Sequence, residues 1–353
     1  MTRPRPDLPT PFPKVDPDWL ALTQEEALEP DLPIIDPHHH LWDFPSHQYL
    51  LPDFLDDISG GHNVVATVFI ECHVFYREDG PEEMRPVGEV EFANGAAAMA
   101  ASGTYNATRV AAGIVGTADL SRGASVLEVL EAQRAAAGTR FRGIRHAASL
   151  DPSPEIPDSR VVPHPHLYRD HEGFREGFRV LGELGLVFDA WVFHTQLRDV
   201  IALARRFPDQ PIVMDHVGGP LGIGIHAGRR AEIFPGWQAD MREMARCENV
   251  SVKLGGIGKR VCGFGFEHLD RPPGSGVIAE AYRPYFETCI EAFGPGRCMF
   301  ESNFPVDKIS GSYTLAWNAY KRIAHGASPD EKRLLFHDTA RSFYGLDGLR
   351  PAG

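Results

Sequence analysis

The chain has 353 residues, 43% of them hydrophobic, with 35 Lys plus Arg against 48 Asp plus Glu for a net charge of −13. That is ample material for a large core, and α/β barrels run to this length as one domain. An acidic surface of this size repels phosphate backbones and argues against nucleic-acid binding, and no apolar run approaches the roughly 20 residues needed to cross a bilayer. The cysteines (Cys72, Cys247, Cys262, Cys289, Cys298) are scattered, odd in number and free of any Cys-x-x-Cys pair, which does not suggest a disulfide framework. Met1 to Pro6 lacks the apolar core of a signal peptide, so a soluble cytoplasmic protein is expected.

Residues 1–32 are rich in proline and acidic residues and read as an irregular arm, with Trp19 and Leu20 as its candidate anchors. Leu32-Pro33-Ile34-Ile35 reads as a strand leading into Asp36-Pro37-His38-His39-His40-Leu41-Trp42-Asp43. Side chains alternate along a strand, so His38 and His40 share one face and His39 takes the other. Two imidazoles held side by side can chelate a divalent cation or polarise a water, whereas the competing interpretation is a histidine-rich surface loop. Buried-type strands follow at 63–71 and 109–116, with an alanine-rich helix over 88–102 between them. A helix over 124–137 leads to a strand at 141–146, then to a proline-rich loop through Pro152, Pro154, Pro157, Pro163 and Pro165. That loop is too long for a plain connector and suits a lid or pocket wall. A helix at 170–184, a strand at 186–194, a helix at 197–206 and a strand at 211–216 come next. A helix at 236–247, a strand at 250–254, a helix at 277–292 and a last strand at 297–303 complete the alternation, before helices at 311–325 and 329–344.

About eight strands separated by helices predict βαβ units and a parallel sheet, and their uniformly apolar character predicts burial on both faces. No Gly-x-Gly-x-x-Gly follows the first strand, which counts against a dinucleotide-binding sheet. The fold predicted is an α/β (β/α)8 TIM barrel over 33–346, with the arm before it and a tail over 347–353. In such barrels the site lies at the C-terminal strand ends. Those ends carry His38 and His40, Glu71 and His73, Arg145 and His146, His194, His216, Lys253, Glu301 and Asn303. One strand-end histidine is ordinarily a satisfied core residue; seven strands ending in polar residues point to a site.

Asp-Pro-His-His-His-Leu-Trp-Asp at 36–43, Gly-Ile-Arg-His at 143–146, Met-Asp-His-Val-Gly-Gly-Pro at 214–220, Val-Lys-Leu-Gly-Gly at 252–256 and Phe-Glu-Ser-Asn-Phe-Pro-Val at 300–306 together resemble the amidohydrolase superfamily. The match is closest to its lactonase- and decarboxylase-containing amidohydrolase-related branch. The resemblance implies the same barrel and a divalent metal, zinc first, held by His38, His40 and His194. It implies that His194 and His216 act as ligand, water orienter or carbonyl polariser. Family members usually carry Ser-Asp-Trp-Pro at the end of the eighth strand, where the Asp takes the proton of the attacking water. This chain has Ser302-Asn303-Phe304-Pro305.

An amide cannot serve as general base at neutral pH and is a weaker, neutral ligand. Three repairs are open. Glu301, on the same strand face as Asn303, takes the base role; or His216 or His194 does; or the site is metal-free and the histidines act directly. The alternative role for Glu301 is a buried carboxylate paired with Lys253 or Arg145. Arg145 and Lys253 are candidates for binding a substrate carboxylate, or else partners of Glu71 and Glu301. Glu71, His73, Tyr76 and Trp191 are further substrate-binding candidates, with Phe193 and Phe304 extending an apolar wall. Asp307 and Lys308 read as a loop pair.

The expected activity is hydrolysis of a lactone or related cyclic ester in a small molecule, carboxylated or not. Its rivals are non-oxidative decarboxylation of an aromatic or muconate-like acid, and a ligand-binding barrel without turnover because Asn303 replaces the acid. The expected partners are a small-molecule substrate and a second copy of the chain in a homodimer, with neither nucleic acid nor membrane.

Overall fold

A computed structural model describes residues 14–44 and 47–347. Its main sheet has eight parallel strands in sequence order: β1 (Ile34–His39), β2 (Val64–Ile70), β3 (Arg109–Gly116), β4 (Phe141–Arg145), β5 (Val187–Ala190), β6 (Ile212–Met214), β7 (Val250–Leu254) and β8 (Cys298–Phe300). Neighbours pair in register, for example Arg145 with Asp189 and Met299 with Lys253. The sheet curls until its ends meet. The His40 amide donates to the Phe304 carbonyl (2.8 Å) and the Asn303 amide to the His38 carbonyl (2.9 Å). Side chains reinforce this seam, because Asp36 Oδ1 accepts from the Ser302 amide (3.0 Å) and Asp36 Oδ2 from the Tyr313 hydroxyl (3.0 Å). The architecture is a (β/α)8 barrel.

Strand alternation separates two apolar populations. Ile35, Ala66, Val68, Ile70, Val115, Val213 and Met299 pack with Ala340, Tyr344 and Leu346 from the chain's last helical segment. Ile34, Phe69, Ile212, Met214 and Phe300 instead join the larger layer shared with the surrounding helices. Tyr344 reaches the base of the mouth, where its hydroxyl donates to Asp189 Oδ2 (2.8 Å).

Three strands are shorter than their apolar runs suggest. β5 stops at Ala190, since His194–Gln196 turns into a 3-10 helix that starts the helix Leu197–Arg206. β6 stops at Met214, and His216 (φ 55°) and Val217 (φ 46°) take left-handed conformations. β8 stops at Phe300, and Asn303 is also left-handed (φ 53°). Glu301 and Asn303 therefore do not share a face by strand alternation. The helix Leu51–Ile58 is additional to those expected, although Leu51, Phe54, Leu55 and Ile58 are its buried residues at helical spacing.

Residues 14–33 carry one short helix, Pro17–Ala21. The Trp19 indole donates to the Leu269 carbonyl (2.8 Å), and Lys321 Nζ donates to the carbonyls of Leu28 (2.7 Å) and Glu29 (2.8 Å). All five cysteines are free and buried. Among the described residues no helix is long and apolar enough to cross a membrane.

Candidate functional site

The barrel mouth gathers residues from seven of the eight strand ends. His38 and His40 point into it, while His39 turns away, stacks on Phe54 and bonds the Thr67 hydroxyl (2.9 Å). His40 Nδ1 lies 2.8 Å from the Ile70 carbonyl oxygen, which can only accept. The ring's proton is therefore on Nδ1. Burial, with Arg145 nearby, holds the His40 pKa well below its ordinary value, so the ring is neutral and Nε2 carries a lone pair. Nε2 faces His38 Nε2 at 3.2 Å and Asn303 Oδ1 at 3.3 Å. The orientation of that amide is fixed, because Asn303 Nδ2 donates to Asp307 Oδ1 at 2.7 Å.

Glu301 bridges two histidines. Its Oε2 lies 2.7 Å from His38 Nδ1 and its Oε1 lies 2.6 Å from His216 Nδ1. An ionised Glu301 accepts from a proton-bearing His216 Nδ1 and leaves that ring's Nε2 as an electron-pair donor, while His38 Nε2 faces the Arg145 Nη1 donor at 3.4 Å and so presents a lone pair. Burial pushes the Glu301 carboxyl well above the usual range, and the opposing pull of Lys253 and Lys259 does not restore it. A cation on the far side of the imidazoles would. The separations of His40 Nε2 from His38 Nε2 (3.2 Å) and from Asn303 Oδ1 (3.3 Å) match the spacing of about 3.4 Å between tetrahedral ligands each about 2.1 Å from one ion. The donor set fits a divalent cation. His38, Asp215 and His216 also each offer a ligand atom within 4.8 Å of the others.

The two deepest cations are tied to carboxylates. Lys253 Nζ pairs with Asp189 (2.6 Å) and Asp215 (3.0 Å) and lies 3.2 Å from His38 Nδ1. Arg145 Nε pairs with Glu71 (2.6 Å), its Nη2 donates to the Glu71 carbonyl (2.5 Å), and its Nη1 lies 3.5 Å from Asp215. Burial raises the Asp215 carboxyl, but Lys253, His216 and Arg145 outweigh it and leave it below its ordinary pKa.

The other expected residues lie at the rim. His73 Nδ1 sits 3.3 Å from Glu71 Oε2 and 2.9 Å from the Tyr76 hydroxyl. Trp191 meets the His216 ring edge to face at 4.8 Å, and Lys259 Nζ lies 3.7 Å from the Trp191 ring centroid. His194 is placed elsewhere. Its Nδ1 accepts from the Leu221 amide (3.3 Å) and its ring packs against His226 (5.2 Å), which pairs with Asp151 (2.9 Å). Lys308 pairs with Asp57 (2.7 Å), not with Asp307, whose Oδ2 accepts from the Gly258 amide (2.8 Å).

Sequence reasoning missed Asp189, Asp215, Lys259 and Asp307. A charged residue inside an otherwise apolar run was a usable signal for Asp189, and one ending such a run for Asp215. Nothing local distinguished Lys259 or Asp307, which loops carry to the mouth.

The amidohydrolase family model matches residues 35–346. The protein y4mH of Sinorhizobium fredii is 32% identical over 336 residues, covering 89% of this chain and 99% of that protein. An L-fucono-1,5-lactonase of Burkholderia multivorans is 27% identical, covering 88% of this chain and 96% of the lactonase. Among solved structures, a zinc-bound amidohydrolase from Burkholderia multivorans superposes with a TM-score of 0.67 at 25% identity, covering 89% of this chain and 99% of that one. With its barrel, its histidine pair and this match over nearly its whole length, the chain is an enzyme of the amidohydrolase family.

Proposed function

We propose that the enzyme opens an uncharged lactone of a sugar-like acid by attack of a water molecule, with a divalent cation at His38, His40 and the Asn303 carbonyl. The observation that carries this reading is the convergence of three lone-pair atoms, His38 Nε2, His40 Nε2 and Asn303 Oδ1. The lactonase relative supports the reaction class, and the zinc-bound relative supports a metal such as zinc. When bound, such an ion lowers the pKa of a water and polarises a carbonyl.

The chain's own residues supply the proton chemistry. Burial, with Lys259 and His38, holds the His216 pKa well below its ordinary value, so the ring is a neutral acceptor. Glu301 fixes its Nδ1–H at 2.6 Å and stabilises the imidazolium formed when Nε2 takes a proton from the attacking water. This assigns the base role to the His216–Glu301 pair and leaves Asn303 to orient. Charge selects the substrate. Arg145 and Lys253 are already paired with Glu71, Asp189 and Asp215, so neither is free to bind the two carboxylates of a dicarboxylate.

The test is hydrolysis of L-fucono-1,5-lactone, D-glucono-1,5-lactone and D-galactono-1,4-lactone, followed by proton release, alongside metal analysis of the protein as isolated. The expected result is turnover of at least one lactone, about one metal equivalent, and loss of both in a His38→Ala/His40→Ala variant. Inertness on all three, or carbon dioxide release from an aromatic acid, would overturn the reading.

A further inference from the structure

Among the described residues, Lys259 is the cation of the mouth that makes no ion pair. It sits half-buried on the loop after β7, and among the described residues no carboxylate lies within ion-pair distance of its ammonium. Its partner is the Trp191 face at 3.7 Å, and Trp191 in turn abuts His216, the ring that Glu301 holds. An ammonium has three N–H donors and an aromatic face satisfies the charge without accepting strongly from all three, so this group is poised for an oxygen ligand.

The loop is held firmly enough to aim it. The Gly222 amide donates to the Val261 carbonyl (2.9 Å), and a Cβ on Gly222 would meet the Cys262 carbonyl oxygen at 2.3 Å. Arg230 Nη2 donates to the Cys262 carbonyl (2.6 Å) and its guanidinium lies over Phe264 (3.9 Å). One residue before Lys259, the Gly258 amide is fixed to Asp307, the partner of Asn303. Burial pushes the ammonium down to about 8; Cys262, Asp307 and Glu301 oppose the descent and Arg145 adds to it.

We propose that Lys259 is a catalytic residue that donates to the lactone carbonyl oxygen and stabilises the negative charge that develops there; this rests on the lactonase reading. Water oxygen bonds to the carbonyl carbon as one water proton passes to His216 Nε2, and the C=O π pair moves onto the oxygen facing Lys259. Collapse restores the C=O bond and breaks the bond from that carbon to the ring oxygen, which takes the proton back from His216. The open hydroxy acid then loses its carboxylic proton to solvent. An uncharged substrate thus becomes a monoanion, and one unpaired cation is the match. Lys259 keeps its proton throughout.

The experiment compares wild type, Lys259→Met and Lys259→Arg on whichever panel lactone the wild type hydrolyses, with L-fuconate as a non-reacting anionic probe. Lys259→Met is expected to lower kcat about 100-fold, the scale of losing one oxyanion donor, with KM changed less than about threefold because the ground state is uncharged. L-Fuconate should shift indole emission in the wild type by drawing the ammonium off Trp191, and should not in Lys259→Met. Lys259→Arg should recover much of kcat. Wild-type kcat/KM should fall as pH rises through about 8, a limb that Lys259→Arg should lack. If Lys259→Met does not fold, that limb and its loss in Lys259→Arg decide the matter. Wild-type turnover with unchanged kcat in Lys259→Met, or equal alkaline limbs in wild type and Lys259→Arg, would overturn the role of Lys259 alone. A wild type inert on all the lactones would overturn the lactonase reading and this inference with it.

Discussion

Asn303 and Asp307 are a matched pair, and this changes what restoring the family's usual acid would do. Asn303 Nδ2 donates to Asp307 Oδ1 at 2.7 Å, and both residues are buried. Asn303→Asp would set two carboxylates against each other where one donor and one acceptor now meet. Burial already pushes Asp307 up to about 6, so at pH 8 both would be forced to ionise or one to hold a proton at a cost. The expected penalty is about 2–4 kcal/mol at pH 8, shrinking towards pH 5 as one carboxyl protonates. Urea unfolding at the two pH values checks it. The exchange variant Asn303→Asp/Asp307→Asn should recover most of the loss, because the hydrogen bond is rebuilt in reverse. Equal stability of the single variant and wild type at pH 8 would refute the account.

At the scale of elements, the glycines after β7 are constrained as tightly as the side chains. Gly256 has φ +63°, and a Cβ there would lie 1.8 Å from His216 Nδ1. Gly256→Ala should displace the ring and lower kcat by about 100-fold, the usual cost of misplacing a catalytic group by about 1 Å. Gly276→Ala, in the helix Ser275–Phe293 with nothing near its Cβ, should leave kcat unchanged. How far such detail can be read from sequence follows from its physical origin. The eight strands were legible because burial on both faces makes runs such as Val64–Ile70 and Ile212–Met214 wholly or almost wholly apolar. Their C-terminal limits were not, since Trp191–Phe193 and Glu301–Ser302 remain largely buried after the backbone has left the sheet. The histidine pair was legible because alternation within β1 fixes which faces His38 and His39 take. The Glu301 bridge was not, because it depends on where three separate strands stop. Lys259 was illegible for the same reason at longer range: a loop residue's neighbours are set by the loops it crosses.

For the molecule as a whole, the segment before β1 acts as a strap. Lys321 Nζ satisfies the Leu28 and Glu29 carbonyls and His62 Nδ1 (2.9 Å) together. Lys321→Met strands those acceptors, so stability should fall by about 2 kcal/mol and protease should cut sooner within residues 14–33. Turnover should hold, because the strap is remote from the mouth; unchanged proteolysis would show that other bonds suffice.

The seam between β1 and β8 carries a different consequence. His38 and His40 leave the ribosome some 260 residues ahead of Asn303, and the complete trio of donors exists only after the two ends of the sheet have met. A nascent or prematurely terminated polypeptide ending short of that meeting lacks one of the proposed ligands. For the proposed cation, loading would then be a late event in biogenesis, and the apoprotein acquiring it would be one whose barrel has already shut.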